Sequence, residues 1–286
     1  MFRARTRTAV ISAGLTLIAA ATGCAGDPPA PTNAIAANPD PRPVADAVLS
    51  QVISKISERG STHSQVRGSL GVVGELSADG VVRYRGPRTD LALDGQTRGT
   101  GNQPPQRIAL SIVDGVGYLR TPLARPAPDK PWLRISPGAG DFGAKLLSPA
   151  LSQVHRAVDP RATFSGIERA TRIQSSAADQ VDGKPTTRYQ LRIVTAQAAD
   201  TAPDPQQRTR YRKAADSGEA EIEYQLWLDE SGLPARFAAS GQVAQAGQVS
   251  LTSTYRDWGA PAEVEVPPAD QIGVFQEPPP QAPRPR

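Results

Sequence analysis

Between residues 44 and 59 apolar side chains recur at helical spacing. Val44, Val48, Leu49, Val52, Ile53 and Ile56 share one face, with Gln51, Lys55 and Glu58 on the others. Gly60 follows, so the pattern predicts a helix over 44–59 with a glycine stop. Beyond it the period falls to two. Segments 66–76 and 81–85 read as strands flanking Ser77-Ala78-Asp79-Gly80, expected to be a hairpin turn with glycine where positive φ is needed. Leu91 and Leu93 suggest a third strand. Ile108, Leu110 and Ile112 alternate, and Asp114-Gly115 turns the chain toward Val116 and Tyr118. Trp132 to Ile135 supplies another strand. A second helical pattern covers 142–158 through Phe142, Leu146, Leu147, Leu151 and Val154, with Pro149 expected to bend or divide it.

The second half repeats the alternation. Asp182-Gly183 leads into Tyr189, Leu191 and Ile193; Ile222, Tyr224, Leu226 and Leu228 follow. A turn over Asp229-Glu230-Ser231-Gly232 then enters a strand at 233–237, and Val249, Leu251 and Tyr255 are expected to close the sheet. Residues 196–218 are polar and rich in Ala, Gln and Arg; they read as a partly helical surface excursion. The whole is α+β: a single curved antiparallel sheet, a half-barrel, with helices packed on or near its concave face, in one domain over 44–275. Such a sheet either packs fully against its helices or leaves an apolar cavity under them. Periodicity alone favours the packed alternative.

The ends differ in kind. Arg3, Arg5 and Arg7 precede an apolar run at 9–21, too short to span a bilayer as a stable helix, and small residues lead to Cys24. Residues 1–23 are thus expected to be a signal peptide. Ala21-Thr22-Gly23-Cys24 resembles a bacterial lipobox, in which the cysteine is acylated and becomes the mature N-terminus. An unpaired cysteine in an exported chain otherwise lacks a reason. Two or more acyl chains suffice for stable anchoring, at about 0.8 kcal/mol per buried CH₂. Residues 24–43 hold six prolines after Cys24 and read as a Pro/Ala-rich tether; 276–286 reads as a Pro-rich disordered tail.

Composition then narrows the function. Losing residues 1–23 removes three arginines and takes the formal charge from +4 to +1, so the basic balance is no nucleic-acid footprint. With one cysteine there is no disulfide. His63 and His155 have no second ligand at metal spacing and read as surface or loop residues. No nucleophile elbow, zinc-protease or phosphate-loop motif occurs, so neither a catalytic residue, a metal nor a cofactor is expected. Glu219, Glu221 and Glu223 share a strand face, read as a solvated edge. The basic run from Arg208 to Lys213 reads first as a solvated insert and second as an anionic headgroup contact.

Several phrases carry a family resemblance. They are Asp114-Gly115 through Tyr118 with Trp132-Leu133; Asp182-Gly183 through Tyr189; Trp227-Leu228-Asp229 through Gly232-Leu233-Pro234; and Tyr255-Arg256-Asp257-Trp258 with Pro267-Pro268. In this order, and with the lipobox, they resemble actinobacterial lipoproteins of the LppX/LprA/LprF/LprG type. That resemblance implies a periplasmic lipoprotein-carrier fold at the cell membrane, anchored on its extracytoplasmic face. It also implies a pocket for an acylated lipid or glycolipid; the missing catalytic motifs carry the separate expectation of no enzymatic activity. Candidate lining positions are Leu70, Val72, Leu91, Leu93, Ile108, Leu110, Ile112, Tyr118, Leu146, Leu147, Leu191 and Ile193. The alternative is an envelope interaction or sensor module of the same fold with a filled cavity and a protein partner.

Overall fold

The computed structural model describes residues 42–274, apart from 72–73, 100–103, 123–126, 137, 140–141 and 244–246. The signal segment, Cys24, most of the tether, Val72 and the tail lie outside the described residues, as does the side chain of Leu146.

Helix α1 (Asp46–Arg59) buries Leu49, Val52 and Ile56. Gly60 ends it at φ 72°, a left-handed conformation costly for other residues, and its N–H donates to the Ile56 carbonyl. Six strands follow as a meander: β1 (Ser61–Ser69), β2 (Glu75–Arg85), β3 (Arg88–Arg98), β4 (Gln106–Val113), β5 (Val116–Arg120) and β6 (Trp132–Ile135). Helix α2 (Phe142–Val158) runs through Pro149 as one element. Helix α3 (Pro160–Phe164) comes next, its first turn capped by Asp159, which accepts from the Arg161 amide at 2.9 Å. The second meander comprises β7 (Thr171–Val181), β8 (Lys184–Val194), β9 (Glu221–Leu228), β10 (Pro234–Val243) and β11 (Gly247–Arg256). Helices α4 (Thr195–Thr201) and α5 (Pro205–Asp216) interrupt it, and β12 (Ile272–Gly273) ends the described fold.

Among the described residues these strands form one open sheet in the order β12-β6-β5-β4-β3-β2-β1-β11-β10-β9-β8-β7. Every pairing is antiparallel except the short β12–β6 addition. The α+β curved sheet expected from the alternation is what the chain forms. Three local readings are corrected. No turn forms at Ser77–Gly80: those residues lie within β2, which pairs with β1 as far as Ser69 and Glu75, and beyond that end the Leu70 amide donates to the Gly74 carbonyl at 2.8 Å. Gly80 is mid-strand, paired to Ser64 and Leu93 on either side. A Cβ there would sit 1.9 Å from the Ala92 carbonyl oxygen, so glycine serves a close strand approach and not a turn. Strand β11 does not close the sheet at an edge: it pairs with β1 and joins the two meanders at the centre. Residues 195–216 are two helices, and Tyr211 and Ala198, Ala199 and Ala202 are buried, so this stretch belongs to the core and is not a surface excursion.

Helices and one sheet face enclose a continuous apolar core. Strand residues Val66, Leu76, Val82, Leu226 and Leu251 meet Leu49 and Ile56 of α1 and Val154 of α2 there. Phe164, Tyr224 and Phe237 pack ring against ring with centroids 5.4–5.8 Å apart. Each fully buried large side chain contributes roughly 1.5–3 kcal/mol. The other sheet face is polar over β8–β11. Over β2–β4 the segment 264–272 crosses it. There the Val264 carbonyl accepts from Arg83 at 3.3 Å, the Glu265 carbonyl accepts from Ser111 at 3.2 Å, and Val264 packs with Val113 and Tyr118.

Candidate functional site

Alternation sends Leu110 and Ile112 to the helix-bearing face, with Leu91 and Leu93 beside them on β3. These four join Leu70, Leu191 and Ile193 in the main core, each between 0% and 7% exposed. Ile108 is half-buried at the margin of that core. Leu147 is half-buried in a neighbouring cluster with Leu133, Ile135, Ala144 and Leu151, beneath the first half of α2. Tyr118 is corrected: paired with Ser111, it faces the opposite side of the sheet and packs with Val113 and Val264. The structure therefore gathers most of the candidates but packs them against one another.

An opening does exist beside them. A groove of about 490 Å³ runs between α2, the β4–β5 turn and the start of α5. Its floor is apolar, from Ile112, Ile135 and Leu151. Leu151 rests directly on Gly117, where a Cβ would approach its Cδ1 to 2.7 Å. Its walls are polar: Ser148, Ser152, His155 and Arg156 from α2, and Gln206, Gln207 and Arg210 from α5. Positions 148, 152 and 155–156 recur at helical spacing, which turns one side of α2 to the opening.

Electrostatics distinguish this wall from the core beside it. Burial pushes the Arg156 guanidinium down to about 10, and the like charge of Arg210 adds to the effect. Arg210 lies 4.5 Å from the centroid of the Tyr211 ring and donates to its hydroxyl at 2.7 Å; its Nε is buried without a partner. Tyr211 donates to the Thr163 carbonyl at 3.3 Å, and burial raises its phenol. Ser148 Oγ is likewise buried and unpartnered. His155 is not the surface residue its sequence suggested. Burial lowers its imidazole below the usual range, against the opposing pull of Asp159.

Behind the groove Asp159 and Arg161 form a closed cluster. Arg161 donates to Asp159 at 3.3 Å, Thr89 at 2.9 Å, Gly86 O at 3.0 Å and Ser57 at 3.1 Å, and its guanidinium stacks 4.4 Å from the Tyr84 ring centroid. Thr89 also donates to Asp159. On the other sheet face a larger hollow of about 810 Å³ is lined by Arg107, by Arg120 paired with Asp94 at 3.8 Å, and by Asp79, which Arg256 meets at 3.0 Å. The acidic face of β9 is also paired: Arg192 reaches both Glu221 and Glu223, and Arg42 meets Glu221. No group of three metal-ligating side chains occurs among the described residues. Among these residues no helix is long and apolar enough to cross a membrane.

No family model matches the chain, and no curated protein matches it. Solved structures do. LprF from Mycobacterium bovis is 16% identical, with 78% of this chain and 96% of that one covered and a TM-score of 0.43. The Pseudomonas aeruginosa MucA/MucB complex contains a chain 15% identical, with 77% of this chain and 59% of that one covered and a TM-score of 0.32. A DUF1329 family protein from Desulfovibrio piger is 9% identical, covering 75% and 92%, with a TM-score of 0.28.

Proposed function

We propose that this chain is an extracytoplasmic lipoprotein, held at a membrane by acyl chains on Cys24, whose domain binds an acylated envelope lipid or glycolipid beside α2. The observation that carries this reading is the groove: an apolar floor of Ile112, Ile135 and Leu151 left open beside α2, with the half-buried Leu147 packed next to it. Binding is by burial, at about 25 cal/mol per Å² of apolar surface removed from water, with no bond made or broken. A volume near 490 Å³ suits a headgroup and the start of a chain. Longer chains require α2 to shift where Leu147 and Leu151 are half-buried. The proposed pocket thus lies at the edge of the core, with Ile112 as the sequence candidate that lines it and Leu147 packed against its floor residues Ile135 and Leu151, while Leu91, Leu93, Leu191 and Ile193 support the scaffold.

A second reading has its own support. Since Leu91, Leu93, Leu110, Ile112, Leu191 and Ile193 are packed to within 6% exposure, an interaction module with a filled core fits the same fold. Large apolar side chains left exposed among the described residues are Val44, Val266 and Val274, which form no evident protein-docking patch. Native mass spectrometry of residues 25–286, secreted from an actinobacterial host and purified without detergent, separates the two. A bound mass that resolves as an acylated lipid on denaturation supports the carrier. A clean mass that stays clean after incubation with envelope lipids favours the interaction module.

A further inference from the structure

Three arginines lie near one another around α2 and α3, and the chain treats them differently. Arg161 is saturated by Asp159, Thr89, Ser57 and Gly86. Arg156 and Arg210 have no acid partner among the described residues, although both are at least half-buried on one groove wall. Asp204, the acid among the lining residues, turns its carboxylate to the Gln206 amide of its own helix at 3.0 Å. Unpaired buried charge is costly, and two like charges in one wall compound the cost. An anion held between them offsets that cost. The unpartnered Arg210 Nε and Ser148 Oγ add donors to the same wall, and Gln206 and Gln207 add amides.

We propose that Arg156 and Arg210 seat the phosphate group of an amphiphile whose chain lies over Ile112, Ile135 and Leu151. A carboxylate is saturated by one guanidinium fork, so two forks with hydroxyl and amide donors suit a group with more oxygens. The apolar floor beside the charged wall selects a phosphate that carries a chain. The chain part of this ligand rests on the lipid-binding reading above; the anion seat does not.

The test uses the full chain with Cys24→Ser, which has no acyl anchor to occupy the groove, and three probes: octyl phosphate, octyl glucoside and inorganic phosphate. Calorimetric titration is expected to show octyl phosphate binding most tightly. Arg156→Gln and Arg210→Gln each weaken it about ten-fold or more and leave octyl glucoside unchanged. If Arg156→Gln fails to fold by circular dichroism, Arg210→Gln, on the more exposed helix, decides alone. Equal affinity for octyl phosphate and octyl glucoside, unmoved by either substitution, overturns the seat and leaves lipid binding standing. Inorganic phosphate binding as tightly as octyl phosphate overturns the amphiphile and assigns a free-phosphate site. If none of the probes binds, the seat and the lipid reading fall together.

Discussion

Arg161 shows how a single buried charge is made tolerable. Asp159 and Arg161 are both nearly inaccessible, and the other guanidinium nitrogens donate to Ser57, the Gly86 carbonyl and Thr89. Arg161→Ala leaves the Asp159 carboxylate buried without its counter-ion, so a loss of about 3–5 kcal/mol is expected from urea unfolding. A loss below about 1 kcal/mol shows that the pair is only an exposed contact. Asp90 makes a different point. Burial alone pushes its carboxyl up, but the Asp114 amide at 3.0 Å, Arg83 at 3.1 Å and Arg85 at 2.7 Å outweigh that and hold it below the usual range. Its stabilising contribution is therefore complete above the unfolded value of about 3.9 and is lost as pH falls through the lower folded value. Asp90→Asn is destabilised relative to the parent at neutral pH, and the gap between their unfolding free energies narrows on acidification; a gap that widens toward acid contradicts the assignment. Neither residue was marked by sequence, since an isolated Asp or Arg carries no sign of the groups that face it.

At the scale of elements, α1, β4, β5, β9 and the Asp114-Gly115 and Asp182-Gly183 turns were legible because local pattern and tertiary role agree. Both turn aspartates adopt positive φ of 50° before a glycine. Strand β7 was not legible: residues 174–180 are almost wholly polar or small, and its strand form comes from pairing with β8. Helix α5 was legible only as polar composition. Its low overall hydrophobicity hides Tyr211, 0% exposed and hydrogen-bonded to Thr163. Tyr211→Ala is expected to cost about 3–5 kcal/mol by thermal or denaturant unfolding. A change within about 0.5 kcal/mol returns α5 to the status of a solvated insert.

Over the whole molecule the decisive contact is β1 with β11, which brings residues 63–69 beside 250–256 and makes one sheet of two meanders. The segment 264–272 then covers the outer face of the first meander, which explains why Ser111, Val113 and Tyr118 are buried opposite Leu110 and Ile112. Anchoring belongs to this scale too: Cys24→Ser is expected to move the protein from the membrane pellet to the soluble fraction, and a variant that stays with the membrane defeats the acyl anchor. By itself the sequence determined the α+β class, the helix at α1, most strand positions and turns, and the cysteine on which the anchor reading depends. These features follow from local periodicity, turn chemistry and the order of residues along the chain. Only the tertiary structure decided the central place of β11, the face taken by Tyr118, the packing of the leucine-rich strands and the meeting of Arg156 with Arg210. Those depend on which residues distant in sequence share a face, and neither period nor spacing records that.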